Sequence, residues 1–432
     1  MFGYYLQLAL RSFRNSRVLT ALMVLAIALG IGACMTTLTV FRVLSGDPIP
    51  DKSDRLFYVQ LDPRSARGAQ PGEDPETQLT RFDAETLLAE AKGLRQAMMT
   101  SGSVSVTPER TDLPPFFAPA RYTSRDFFAM FAAPFQYGAG WSGDDDAGSA
   151  RVAVISRSLN ERVFGGENSV GRSLMLGGNE FRVAGVLDAW RPTPRFWDMY
   201  SQTFGDGEDI FLPFSTSRAL SMGRSGNMSC WNTTADDTGL NAPCVWIQYW
   251  VELDSPAQAT DFKAYLDAYS AQQKAAGRFE REPNTRLSDV MAWLTYNRVV
   301  PRDVVMQLWL GFGFLLVCLL NTVGLLLAKF LRRSGEIGVR RALGASRRDI
   351  FQQCLVEAGM IGLAGGVLGL GLSLLGLWAV RQQPASYASL AHLDVPMLLT
   401  TFALAVTASL LAGVLPAWRA MQITPAIQLK TQ

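Results

Sequence analysis

The chain has one histidine, His392, among 432 residues. A single imidazole excludes a histidine-based catalytic triad and leaves no histidine pair for a metal site. The HExxH and GxSxG signatures are also missing. Charge is scarce at 18% of residues and nearly balanced, 40 basic against 38 acidic, so no basic excess points to nucleic acid. None of the five cysteines falls in CxxC spacing, and no metal site is expected.

What is abundant is apolar surface. At 48% hydrophobic residues and a mean hydropathy of +0.11, the chain is too apolar for an ordinary soluble protein and too polar for a bundle of membrane spans alone. A span needs roughly 20 consecutive apolar residues. Four stretches qualify: 18–41, 306–330, 355–380 and 397–415. Between the first two, the polar segment 42–305, rich in Gly, Pro, Asp and Ser, is long enough to fold by itself. The expected fold is a membrane protein with four transmembrane α-helices and a large α+β extracytoplasmic domain inserted between helices 1 and 2.

Placement of Lys and Arg in short flanking segments sets the expected orientation. Arg11, Arg14 and Arg17 precede span one, within a segment 1–17 expected as a cytoplasmic interfacial helix. Lys329 and six arginines, Arg332, Arg333, Arg340, Arg341, Arg347 and Arg348, lie between spans two and three, which puts segment 331–354 in the cytoplasm. The loop 381–396 has a single Arg and belongs outside, and the tail 416–432, with Arg419 and Lys430, returns to the cytoplasm. Ile31-Gly32-Ala33-Cys34 resembles a lipoprotein cleavage box, but the apolar run continues through Val40, so the segment reads as an uncleaved span.

Cys230 and Cys244 both fall in the outer domain, and in an oxidising compartment such a pair closes its loop as a disulfide. In the same domain, Val152–Ile155 reads as a strand, followed by a helix stopped at Gly165 and a hairpin turning at Gly177-Gly178-Asn179. Residues 166–173 have the spacing of a phosphate loop. They carry Arg172 where lysine is needed and follow a helix instead of preceding one, so nucleotide binding is rejected. Asp144, Asp145 and Asp146 read as a solvated loop in preference to a calcium site. The spans carry no proton relay: Asn321 reads as an interhelical hydrogen-bonding residue, and Glu357 as a group that reaches the interface or pairs with a nearby Arg. Energy for any transport must therefore come from outside the chain.

The stretch "RRSGEIGVRRALGASRRDIF", 332–351, spells helix, break, helix. Glu336 and Arg340 are spaced for an i,i+4 pair, Gly344 suits a helix end, and Ser346 with Asp349 forms a capping box. Such an element fits either a docking role or a basic loop that anchors topology. "SGEIGVRRALGASRRDIFQQCLVEAGMIGLAGGVLGL" resembles the coupling segment and third span of the MacB, LolC/LolE and FtsX superfamily of ABC permeases. "LQLALRSFRNSRVLTALMVLAIALGIG", "VAVISRSLNERVFGGENSVGRSLMLGGNEFRVAGVL" and "LPAWRAMQITPAIQLK" resemble its first helix and span, its periplasmic core and its cytoplasmic end.

The resemblance implies a non-catalytic permease in a bacterial inner membrane, both termini cytoplasmic. It would transmit motion from a separate cytoplasmic ABC ATPase dimer, which holds the ATP and Mg, to its outer domain. Carried over residue by residue, the coupling residues would be Glu336, Ile337, Gly338, Arg340, Arg341, Leu343, Gly344 and Ala345. Gly362 with Gly366, and Gly365 with Gly369, stand at GxxxG spacing and allow close helix approach, at a dimer interface or within one subunit. A second permease, identical or related, and membrane lipids complete the expected partners, with a periplasmic adaptor and outer-membrane channel if the machine exports. A regulator of the FtsX type, switching a periplasmic cell-wall enzyme, is the alternative. Gly335 departs from the Arg of many relatives, and 189–288 matches the family pattern poorly, which makes it the expected seat of specificity.

Overall fold

The computed structural model describes residues 13, 16–110, 112–200, 203–384 and 387–422. Most of the interfacial helix expected over 1–17, with Arg11 and Arg14, and the tail beyond 422, with Lys430, lie outside the described residues. The chain divides into two compact units, Gly46–Val299 and the remainder.

In chain order, helix α1 (Arg17–Ser45) leads to β1 (Leu56–Gln60), α2 (Arg81–Glu90), β2 (Arg95–Thr107), β3 (Phe116–Thr123), α3 (Phe127–Met130) and β4 (Phe135–Gly138). Then come α4 (Gly143–Ala147), β5 (Val152–Ile155), α5 (Arg157–Phe164), the hairpin β6 (Ser173–Leu176) and β7 (Asn179–Leu187), β8 (Ile210–Pro213) and α6 (Phe214–Ala219). Short strands β9 (Arg224–Ser225), β10 (Ser229–Cys230) and β11 (Cys244–Val245) precede β12 (Gln248–Glu252), α7 (Pro256–Ala275), β13 (Arg286–Asp289) and α8 (Val290–Tyr296). The chain ends in α9 (Arg302–Arg332), α10 (Ser334–Ala342), α11 (Arg347–Arg381) and α12 (Val395–Met421).

One mixed sheet organises the inserted unit, in the order β13-β1-β12-β2-β3-β8-β5-β7-β4, with β6 and β9 also paired to β2. The β3–β8 and β5–β7 pairs are parallel and the others antiparallel. Both faces are buried, as alternation along β12 makes plain: Tyr249 and Val251 enter one core, and Trp250 enters the other. The second core is aromatic. Tyr58 stacks on Trp293 at 3.8 Å between centroids, with Phe127, Phe131, Phe196 and Trp197 around them. Single residues set the ends of helices here. Ser156 caps α5 through the Leu159 amide, and Gly165, at φ 74°, closes it in the left-handed conformation.

The features judged at the sequence level resolve locally. Residues 166–173 join α5 to β6, pinned where Ser169 donates to Asn160 Oδ1 at 2.6 Å, a structural loop with no helix behind it. Asp144, Asp145 and Asp146 form a short helix instead of a loop, because Ser142 and Asp145 make a reciprocal capping box. Among the described residues no group of three or more His, Cys, Asp or Glu is placed to hold a metal ion. Cys230 and Cys244 are bonded, pairing β10 with β11. With a sequence separation of 14 between the bridged positions, the loop-closure model puts the stabilisation at about 3 kcal/mol. Peptide mass spectrometry without reduction is expected to find this bridge, and Cys230→Ser to lower unfolding free energy by roughly that amount; free thiols at both positions would refute it.

The second unit contains the four helices long and apolar enough to cross a membrane: α1, α9, α11 and α12. Their hydroxyls return to their own backbones: Thr39 to the Met35 carbonyl, Thr322 to Cys318 and Thr401 to Met397, each at 2.8 Å. This leaves those polar groups satisfied without water. The glycine ladder of α11 packs inside the subunit, on two sides. A Cβ on Gly362 would stand 2.4 Å from the Ser409 Cβ, and one on Gly366 2.8 Å from the Ala405 Cβ, both of α12. On Gly365 it would stand 2.9 Å from the Ile27 Cβ, and on Gly369 3.1 Å from the Ile31 Cβ, both of α1. Asn321, expected between helices, is instead exposed on α9, because the buried stripe of that helix runs through Leu315, Cys318, Thr322 and Leu326.

Candidate coupling site

The basic stretch folds as its local signals dictate. Helix α9 ends at Arg332, and α10 begins at Ser334, with only Arg333 between them. Helix α10 closes in a Schellman arrangement: the Ala345 amide donates to the Arg340 carbonyl at 3.0 Å and the Gly344 amide to the Arg341 carbonyl at 3.2 Å. Gly344 has φ 102°, which a side chain would oppose although no atom crowds its Cβ position. Ser346 then starts α11: its Oγ accepts the Asp349 amide at 3.2 Å, and Asp349 Oδ2 accepts the Ser346 amide at 3.0 Å. Two helices thus meet at an elbow whose angle is set by backbone hydrogen bonds.

Side chains then tie that elbow to every membrane helix. Glu336 accepts Arg340 at 2.6 Å and Arg333 at 3.0 Å. Arg340 also donates to Gln353 Oε1 of α11 at 3.0 Å, and Arg341 to the Met421 carbonyl at the end of α12 at 3.4 Å. Arg333 reaches Glu357 of α11 at 3.3 Å. Deepest of all, Lys329 of α9 pairs with Glu357 at 2.6 Å and donates to Thr20 Oγ1 of α1 at 3.2 Å. Lys329 and Glu357 are each only 2% exposed. The ring of Phe13 stands 5.3 Å from the Lys329 ammonium. Free space among these groups is about 10 Å³, no more than one water requires, so the cluster is closely packed, with no room for a ligand.

Of the residues singled out in sequence, Glu336, Ile337, Gly338 and Arg340 meet at the root of the elbow, and Ala345 packs beside them on the membrane core. Leu343 and Gly344 stand apart at the tip, with Leu343 83% exposed and Val339 54% exposed. Arg347 and Arg348 flank that tip in solvent. Arg340 and Arg341 therefore also brace the chain's own helices. Sequence reasoning missed Lys329, Arg333 and Gln353 as members of the joint. A lysine and a glutamate at the ends of two apolar runs were the available signal.

This combination, a helix-break-helix elbow between two of four apolar helices with a large mixed-sheet unit inserted after the first, is matched in known proteins. Residues 20–269 match the family described as MacB-like periplasmic core domain, and residues 309–425 the one described as FtsX-like permease C-terminal. The chain belongs to the MacB-like permease family. It is 24% identical to a macrolide export ATP-binding/permease protein MacB of Azoarcus sp., over 98% of this chain and 59% of that protein. It is 25% identical to a pyoverdine export ATP-binding/permease protein PvdT of Pseudomonas entomophila, over 99% of this chain and 59% of that one. The chain thus spans about three-fifths of the length of these relatives. The periplasmic region of MacB from Actinobacillus actinomycetemcomitans covers 58% of the chain at 15% identity, with 94% of that structure aligned and a TM-score of 0.37. Within the family fold, the inserted sheet unit is the periplasmic domain, and 332–351 occupies the place between spans two and three.

Proposed function

We propose that this MacB-like permease is the transmembrane subunit of a mechanotransmitting ABC transporter, moved by a cytoplasmic ATPase on a separate chain. The ATPase grips the tip of the elbow, where Val339 and Leu343 form an apolar knob bordered by Arg347 and Arg348. Its stroke tilts α10, and the joint at Lys329, Arg333, Glu336 and Glu357 passes the tilt into α9 and α11 together. The chain enters the periplasmic domain from α1 and leaves it into α9, so movement of those helices reaches that domain along the backbone. A second permease, identical or related, completes the membrane assembly, and both termini lie in the cytoplasm of an inner-membrane protein.

The observation that carries this reading is the contrast within one short helix: an apolar tip left in solvent on a root where Glu336 pairs with Arg333 and Arg340, next to the buried Lys329–Glu357 pair. The printed names of its relatives describe export of a macrolide and of pyoverdine, and export or extraction of a periplasmic or membrane-derived substrate is the direction proposed here. Cross-linking at Leu343→Cys followed by purification from the native host tests it. The expected products contain an ABC ATPase, together with a periplasmic adaptor in the pull-down. Recovery of a peptidoglycan hydrolase would favour the regulatory alternative, and absence of any ATPase would remove the proposal altogether.

A further inference from the structure

In the periplasmic domain, residues 188–197 and 205–209 of one segment border an open cleft of about 920 Å³ against β2, β3 and the start of α5. That is the size of small-molecule sites. Arg121, fully buried, anchors the segment: its guanidinium donates to Asp198 Oδ2 at 2.7 Å and, through Nε, to Glu208 Oε1 at 2.9 Å. Glu208 is 7% exposed on the cleft lining, and its second oxygen, Oε2, has no hydrogen-bond partner among the described residues. Trp197 Nε1, in the same wall, has none either.

The lining combines aromatic surface with negative charge. The rings of Trp190 and Trp197 lie parallel, 4.9 Å apart, and Phe117 of β3 stands 76% exposed. Three arginines and five carboxylates line the cleft, and the Arg121–Asp198 pair beneath adds one of each, which leaves two negative charges in excess. The chain as a whole carries a net +2, so this excess is local. The Asp209 side chain accepts from the hydroxyls of Ser156 and Ser158, and the side chain of Asp206, 94% exposed, has Arg191 at 2.9 Å.

We propose that this cleft binds a small amphiphilic amine, its protonated nitrogens against Asp206 and Asp209 and its apolar body on Trp190 and Phe117. An acidic rim desolvates an ammonium at low cost, and the aromatic faces attract both the cation and an apolar ring. A carboxylate-bearing ligand of the same shape is disfavoured by the excess negative charge. The assignment stands on the cleft and needs no ATPase, so its failure would leave the transport reading intact, and the reverse holds.

The test uses the full chain in phosphatidylcholine nanodiscs and calorimetric titration with 1-naphthylacetyl-spermine. Saturable binding at about micromolar Kd is expected, with none to empty discs. Phe117→Ser, a change at an exposed site that folding tolerates, is expected to weaken binding by at least about fivefold. Asp206→Asn with Asp209→Asn is expected to weaken it by about tenfold and to flatten its salt dependence. 1-Naphthylacetate, with the same ring and the opposite charge, is expected to bind at least about tenfold more weakly. Equal binding of the two ligands, unchanged affinity in Phe117→Ser, or heat no greater than that of empty discs would each overturn the proposal.

Discussion

Val339→Glu combined with Leu343→Glu is expected to abolish stimulation of a co-expressed ATPase, by tenfold or more, while the chain unfolds at its usual temperature. Both side chains already sit in solvent, 54% and 83% exposed, so folding loses little. In a docked complex the same two positions would bury carboxylates without partners, and each such group costs several kcal/mol. Arg340→Glu with Arg341→Glu makes the informative contrast. It places acids beside Glu336 and removes the bonds to Gln353 and to the Met421 carbonyl, so it should lower the unfolding temperature along with the stimulation. Measuring ATP hydrolysis and thermal unfolding on both variants separates knob from brace. If the Val339 and Leu343 variant hydrolyses ATP at the parent rate, the knob is not the docking surface.

Glu357→Leu is expected to be the most damaging single change in the membrane unit. It leaves the Lys329 ammonium, 2% exposed, without its counter-ion, and breaking one side of a buried pair typically costs about 3–5 kcal/mol. Lys329→Met added to Glu357→Leu removes both charges, and most of that loss should return, because an apolar pair of similar volume is often as stable as the ions it replaces. Coupling should not return with it. The double variant lacks the link that runs from Arg333 through Glu357 to α9 and α1, so ATPase stimulation should stay low in a protein that again folds normally. Denaturant unfolding in detergent and ATPase assays on the three chains check this. Unchanged unfolding of the single variant would show that the ion pair contributes nothing.

What could be read from the sequence divides by distance along the chain. The elbow was legible because its instructions are neighbours: Gly344 for a positive φ, then Ser346 and Asp349 for a reciprocal cap. The Gly177-Gly178-Asn179 hairpin and the Gly165 stop were legible for the same reason. The joint was not, because the meeting of Lys329 with Glu357 depends on how α9 and α11 are rotated about their own axes, and apolar runs record rotation weakly. The glycine ladder shows the same ambiguity. Its two GxxxG pairs are offset by three residues, which turns one toward α12 and the other toward α1, and spacing alone left a dimer interface equally open. Sheet order was beyond reach, since β5 lies between β8 and β7 through pairings remote in sequence.

The buried lysine and glutamate also constrain how the protein is made. Helix α9 emerges from the ribosome before α11, and each carries one member of the pair. On insertion scales a lone charge in a membrane helix costs up to about 3 kcal/mol at the centre and less toward the ends, where Lys329 and Glu357 lie. Inserted singly, each helix would expose its charge or draw it toward the head groups; inserted side by side they present lipid with a neutral surface. Synthesis of α11 is thus expected to be the step that lets α9 settle, so the ion pair that ties the finished helices together would also time their insertion.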